Sequence, residues 1–518
     1  MKKILQKTIV LCLMMLSAFT ASAQRFLSEI FPSATVTQNI VYANNFSVIT
    51  GTPVAGDLFL DFYEPGGMPD PLLQRPLIIF MHTGSFLPTF INQQPTGNRR
   101  DSTVVEMCTR FAKRGYAVAA MSYRLGWNPA AVGGGANEDI RRGTLLSAVY
   151  RSIQDAKACV RFFRKDAATT NTYKIDVNNI ILGGVGSGGY TAMAYATLED
   201  PLEITLPKFL ANFTIPAYGF TAGQPYVNQA LLGDYDGYGG NAALNNPNNS
   251  VGYSNEVHFV FNMGGALGDS IWLEAGDAPM VAFHVVGDPF APYGYGPVIV
   301  PTTGDYVVHV SGSSEIIRLA TDSGNNNCFN GAGFTDPFTL HANTVNNGYD
   351  GLYPFYTNPM VQSGPWEWFD SLATMAGCAL TGQTPTQCAA IYSNALLTNP
   401  DMSKVKAIAY IDTIMGYLNP RIVYCRNLPV AMNENFAEMT GVEIYPNPAT
   451  SFINITSADS KNKILRVSIT DIAGNITKKT ENINDRFFRI ERRDLSPGIY
   501  FVKVRCEKGE LVRKITIQ

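Results

Sequence analysis

Charge is scarce in this chain. Only 16% of its 518 residues are Asp, Glu, Lys or Arg, and 39 basic residues nearly balance 42 acidic ones, so there is no broad field to gather nucleic acid or coat an anionic membrane. Histidine is rarer still, at five residues, which leaves few candidates for a metal centre or a general base. No Cys/His spacing matches a zinc site, and neither metal nor organic cofactor is expected. Beyond the N-terminus no run of about 18 uninterrupted apolar residues occurs, so no helical membrane span is expected. Disorder is excluded for most of the chain, because 46% of it is hydrophobic and 11% aromatic.

At the N-terminus Lys2, Lys3 and Lys7 precede an apolar run from Ile9 to Phe19 and then Ala21-Ser22-Ala23. This is the pattern of a signal peptide over residues 1–23, with a mature chain starting at Gln24. Loss of Cys12 leaves seven of the eight cysteines, an odd number, so at least one thiol stays unpaired. Cys378 and Cys388, closest in sequence, are the expected bridge.

From about residue 76 to 345, short apolar β-type runs alternate with helical patterns, the rhythm of a largely parallel sheet covered on both faces. Leu77 to Met81, Tyr116 to Tyr123, Ile180 to Leu182, Val257 to Asn262 and Met280 to Val285 are the buried strands. Leu145, Val149, Ile153, Ala156, Val160 and Phe163 recur every three or four residues and mark one face of a helix. Ser313 or Ser314 is expected to cap a helix running to Asp322, and a last helix is expected from Ser403 to Leu418, before Pro420. Two insertions, 201–256 and 342–400, break the rhythm; the first is rich in Asn, Gly, Tyr and Pro, the second in aromatic residues. After about Ala437 short alternating strands take over, so the chain is expected to comprise an α/β domain over 24–437 and a small all-β sandwich domain over 438–518.

The richest local signal is Ile180-Ile181-Leu182-Gly183-Gly184-Val185-Gly186-Ser187-Gly188-Gly189-Tyr190 before a helix-prone segment. A buried strand, a glycine-packed turn and a helix place a hydroxyl at the carboxyl edge of the sheet, as a nucleophile elbow requires. Ser187 is the expected nucleophile, and the Gly188 N–H an oxyanion donor. The glycine usual two residues before the serine is here Val185. Gly184-x-Gly186-x-x-Gly189 also satisfies a dinucleotide-binding fingerprint, but Glu199 and Asp200 close a helix where an acid ending a second strand is needed.

A serine needs a histidine within hydrogen-bond reach and a carboxylate to orient it. Asp288 follows the Met280 to Val285 strand and suits the acid. Downstream of it only His309 and His341 remain. His341 opens a loop after the expected strand Phe338-Thr339-Leu340 and is the expected base, with His309 the alternative. Gly84 or Ser85, in the loop Met81-His82-Thr83-Gly84-Ser85-Phe86, is the expected second oxyanion donor, while His82 braces that loop.

These features resemble the α/β-hydrolase family, in particular its secreted carboxylesterase and lipase-like branch, over about residues 60 to 345. The matches are His82-Thr83-Gly84, Ser122-Tyr123-Arg124-Leu125-Gly126, Gly186-Ser187-Gly188-Gly189, Asp288-x-x-x-Pro292-Tyr293 and His341, in the order Ser, Asp, His. Thr83 stands where that loop usually has glycine. The resemblance implies hydrolysis of small-molecule or polymer-borne carboxylic esters through an acyl-enzyme on Ser187. A catalytically silent surface binding protein on the same scaffold, and a peptidase or acyltransferase, are the alternatives. The C-terminal segment resembles the sorting domain of the type IX secretion system at Tyr445-Pro446-Asn447-Pro448, Asp471-Ile472-Ala473-Gly474, Leu495-Ser496-Pro497-Gly498-Ile499-Tyr500 and the basic ending around Lys514. That resemblance implies export through the periplasm of a Gram-negative bacterium to the surface or beyond, with the secretion machinery as partner.

Overall fold

The computed structural model describes residues 24–300, 302–429, 442–459, 462–471, 476–492, 495–507 and 509–518. The signal peptide expected at 1–23 and the boundary expected at 437/438 lie outside the described residues. The chain divides into two compact units, one through Val430 and one from Ala431.

The larger unit is built on an eight-stranded sheet of order β1-β2-β4-β3-β5-β6-β7-β10. Its strands are β1 (Ser33–Ser47), β2 (Val54–Gly66), β3 (Arg75–Met81), β4 (Ala117–Met121), β5 (Ile175–Val185), β6 (Phe259–Met263), β7 (Met280–Val285) and β10 (Leu352–Phe355). A separate hairpin pairs β8 (Tyr295–Ile299) with β9 (Tyr306–Ser311). β2 runs antiparallel to both β1 and β4, and every other neighbour in the large sheet is parallel. The continuous apolar runs follow from burial on both faces. Leu77, Ile79 and Met81 enter one core, together with residues of α2 (Ala136–Ala168) and α3 (Ser187–Thr197). Ile78 and Phe80 enter the other, together with residues of α1 (Ser102–Lys113) and α8 (Lys404–Cys425). The remaining helices are α4 (Ser313–Asp322), α5 (Pro337–Ala342), α6 (Ser371–Ala379) and α7 (Pro385–Thr398). The result is the α/β-hydrolase fold, with helices on both faces of a mostly parallel sheet.

Three local expectations are corrected. Phe338 to Leu340 is not a strand: Pro337 opens α5, and the Asp336 carboxylate accepts from the Thr339 N–H as its cap. The last helix runs through Pro420 to Cys425. Its final turns are held by tertiary contacts, since Arg421 and Ile422 are fully buried and Cys425 is bonded to Cys328. Helix α4 begins as expected, but its N-cap is Gly312 and the Ser313 hydroxyl instead meets His284 Nδ1 at 2.7 Å. The second disulfide is the expected Cys378–Cys388, and Cys108, Cys159 and Cys506 are free and buried.

The insertion at 201–256 contains short 3₁₀ turns and the single helical turn Gln229–Leu232. Its asparagines tie it to β1: Asn45 Nδ2 donates to Asn245 Oδ1 at 3.1 Å, the Asn246 N–H to Asn45 Oδ1 at 3.0 Å, and Asn249 Nδ2 to the Asn44 carbonyl at 3.0 Å.

The smaller unit has two antiparallel sheets, β11-β12-β15 and β14-β13-β16-β17. These are β11 (Val442–Tyr445), β12 (Phe452–Ser457), β13 (Ile464–Asp471), β14 (Ile476–Asp485), β15 (Phe487–Glu491), β16 (Gly498–Cys506) and β17 (Gly509–Ile517). Ile453 and Ile455 from one sheet meet Val467, Ile469, Val502 and Val504 from the other in a single core, which makes a sandwich. Most of the Asp471 to Gly474 landmark lies outside the described residues.

Candidate active site

Between β5 and α3 stands one residue, Gly186, with φ 51° and ψ −115°. Its N–H donates to the Met263 carbonyl at 2.8 Å. The elbow of a serine hydrolase holds its nucleophile in such a strained strand-to-helix turn, flanked by small residues two before and two after. Gly184 and Gly188 hold those places around position 186 and touch: a Cβ on Gly184 would lie 2.2 Å from the Gly188 carbonyl carbon. The motif therefore reads Gly184-Val185-Gly186-Ser187-Gly188, with glycine at the strained position.

The space a side chain at 186 would need is taken. A Cβ built there would lie 2.2 Å from Thr83 Oγ1 and 3.1 Å from Thr83 Cβ. Thr83 thus occupies the space that a side chain at position 186 would need.

Ser187 is the first residue of α3 and is only 5% exposed. Its Oγ lies 2.9 Å from the Tyr123 hydroxyl, which also lies 2.7 Å from the His82 carbonyl. The phenol has one proton, and the carbonyl can only accept it. The Ser187 hydroxyl must then donate to the Tyr123 oxygen, an arrangement that holds its proton away from any base.

Asp288 sits where expected, in the turn after β7. Oδ1 accepts from the Phe290 and Ala291 N–H groups at 2.8 and 3.3 Å, and Oδ2 accepts from the Ser363 hydroxyl at 2.8 Å. Burial pushes its carboxyl up to about 7 despite these three donors. The partner that orients an imidazole in a triad is therefore occupied by a serine.

The structure does not bring the two candidate bases to this place. His341 is exposed on α5, with its ring 5.9 Å from that of Tyr353. His309 lies on β9 between Tyr295 and Tyr306, whose hydroxyl is 2.9 Å from its Nδ1. His82 stacks on Tyr123 at 4.5 Å with Nδ1 2.6 Å from the Thr83 carbonyl, and burial pushes it down to about 4. It braces the loop as an uncharged ring.

Gly84 and Ser85 take positive φ values of 123° and 54° and line the pocket opposite the start of α3. Ser187, the first residue of α3, lines the same pocket, and the first N–H groups of a helix have no intrahelical partners. Gly188 packs instead against the Met81 and His82 carbonyls, 2.4 and 2.7 Å from where its Cβ would be. With the register set by Gly186, Ser187 holds the place of the donor that follows a nucleophile.

Thr83, Gly84, Ser85, Gly186 and Ser187 border a cavity of about 1070 Å³ with the open solvent at its mouth included. Trp127, Phe86, Met263, Phe290 and Trp366 make much of its wall, and its only ionisable acids are Asp288 and Glu367. No Lys, Arg or His lines it. Burial pushes Glu367 up to about 7, and it pushes the neighbouring Asp101 up as well, aided by the Glu367 charge. Among the described residues no group of three side chains could hold a metal ion.

The sequence reading did not assign Gly186, Thr83, Tyr123 or Ser363. Sliding the glycine motif by one residue, so that Gly184 and Gly188 flank the centre, was the available signal for the first two. Nothing in the sequence points to Ser363 meeting Asp288 across 75 residues.

Residues 443–518 match the model of the secretion system C-terminal sorting domain. The C-terminal unit is a type IX sorting domain. It sends the chain out of the cell, to the surface or the surroundings, and among the described residues no helix is long and apolar enough to cross a membrane. No curated protein matches the chain. Among solved structures it is similar to esterase 2 of Thermogutta terrifontis phosphorylated by paraoxon, at 19% identity and TM-score 0.30 over 51% of this chain and 74% of that one. The tabun-phosphoramylated form of that esterase gives 17% identity and TM-score 0.34 over 68% and 93%. The propionate-bound form gives 17% and 0.33 over the same shares. Likeness at this level bears on neither activity nor substrate.

Proposed function

We propose that this exported protein binds its ligand in the elbow pocket on a hydrolase scaffold and does not turn over esters through Ser187. The observation that carries this is glycine at the strained turn, with Thr83 Oγ1 filling the volume a nucleophile at position 186 would need. Covalent catalysis requires a hydroxyl there and a base beside it. Two further observations support binding. Ser187 donates its proton to Tyr123, and Asp288 is paired with Ser363 in a cavity lined by no imidazole. What persists is the part that recognises a carbonyl oxygen: the N–H groups at the start of α3 facing Gly84 and Ser85.

Ester hydrolysis by Ser187, Asp288 and His341, with Gly84 or Ser85 and Gly188 as oxyanion donors, has those same N–H groups in its favour. It would also require His341 to leave α5 and displace Ser363 from Asp288. The mature protein, assayed on short-chain nitrophenyl esters beside Ser187→Ala and His341→Ala, separates the two. Binding predicts no turnover above buffer in any of the three. Turnover by the unmodified protein that both variants lose would establish the hydrolase.

A further inference from the structure

A second cavity lies behind α3. It measures about 620 Å³ with the open solvent at its mouth included. Val149 and Ile153 of α2, Ala194 of α3 and Val308 of β9 form its walls, and Ile204 and Phe209 of the 201–256 insertion close it. Two of the three hydrogen-bonding side chains in its lining are already engaged. Tyr150 donates to the Gly233 carbonyl at 3.1 Å, and Trp272 Nε1 donates to the Glu203 carbonyl at 3.2 Å. Such a wall offers water few partners and offers a hydrocarbon apolar contact.

The two cavities share Leu145 and Tyr190. Tyr190 stands one turn into α3, and its hydroxyl is buried without a hydrogen-bond partner. An orphan phenol at a junction between the elbow pocket and an apolar chamber calls for a polar atom from outside the protein. The elbow pocket also constrains that atom's charge. Its only acidic carboxyls are those of Asp288 and Glu367, with no cationic side chain beside them, so a carboxylate head would enter unpaired.

We propose that the second cavity holds the hydrocarbon chain of a single-chain amphiphile with an uncharged carbonyl head, the head lying in the elbow pocket and Tyr190 standing at the waist between the two. The insertion is then the roof of the tail chamber through Ile204 and Phe209. The proposal rests on the ligand-binding reading of the elbow pocket. Binding and turnover are measured separately, so either can fail alone.

The test uses the mature protein and uncharged straight-chain amides from butanamide to dodecanamide, with binding followed calorimetrically. Each methylene placed in the chamber tightens binding about fourfold until the chamber is full. Dodecanoate at pH 8 binds more weakly than dodecanamide. Ala194→Phe, whose new ring enters the chamber, abolishes the gain from longer chains. Should that variant fail to fold, Ile204→Trp fills the same space from the roof. Affinity that ignores chain length in the unmodified protein overturns the proposal. So does a folded blocking variant that binds dodecanamide as well as the unmodified protein, or dodecanoate that binds as well as the amide.

Discussion

If Thr83 occupies the volume a side chain at position 186 would need, the two sites must be coupled, and a double-mutant cycle measures by how much. Gly186→Ser alone meets two penalties. A side chain at φ 51° costs about 1–3 kcal/mol of backbone strain, and its Cβ, 2.2 Å from Thr83 Oγ1, adds an overpacking cost of about 1–3 kcal/mol. Thr83→Gly removes the second penalty and leaves the first. Gly186→Ser in the Thr83→Gly background should therefore cost about 1–3 kcal/mol less than in the native background. Tryptophan fluorescence in urea suits the assay, because Trp127, Trp272, Trp366 and Trp368 all lie in the larger unit and report its unfolding alone. Separated, independent sites add to within about 0.5 kcal/mol. Additivity at that level would mean the two positions do not share the space, and the displaced register of the elbow would lose its physical basis.

Other outcomes follow from the same geometry. Ser187→Ala should lower stability by about 1 kcal/mol through loss of the bond to Tyr123, and urea melts showing no change would place that hydroxyl elsewhere. Burial pushes the Asp288 carboxyl up to about 7 in the folded state, from 3.8 for an ordinary aspartate. The folded state thus holds a proton the unfolded one has lost between those values, and stability from this group is present at acid pH and lost as pH rises through 7. Asp288→Asn should then gain stability relative to the native protein between pH 4 and 8; a difference that falls over that window contradicts the burial described. Replacing Cys328 and Cys425 with serine opens a 97-residue separation and should cost about 2–4 kcal/mol. The same change at Cys378 and Cys388, 10 residues apart, should cost less, and thermal melts of the two variants give the order.

The sheet was legible because its strands are buried on both faces and read as unbroken apolar runs. Leu77 to Met81 and Met280 to Val285 could be little else. Local propensity stops the last helix at Leu418, before Pro420, whereas the packing of Arg421 and Ile422 and the Cys425 bridge carry it past the proline. At the site, Asp288 was legible from strand-end position alone. Ser187 drew attention as the only hydroxyl in a glycine turn, yet the residue that takes the turn is set by which glycines touch, and contact between Gly184 and Gly188 is a property of the folded backbone. Chain order leaves both His309 and His341, and the choice of His341 rests on an expected strand over Phe338 to Leu340 where Pro337 opens a helix instead. Thr83 opposite Gly186 and Ser363 opposite Asp288 are tertiary juxtapositions with no periodicity to betray them.

The central claim is that the Ser187 hydroxyl is not activated. The most direct measurement treats the mature protein with a serine-directed fluorophosphonate at pH 8 and maps any adduct by peptide mass spectrometry. Ser187 without a phosphonyl group after prolonged exposure is the predicted result. Stoichiometric modification of Ser187, abolished by prior denaturation, would contradict the account.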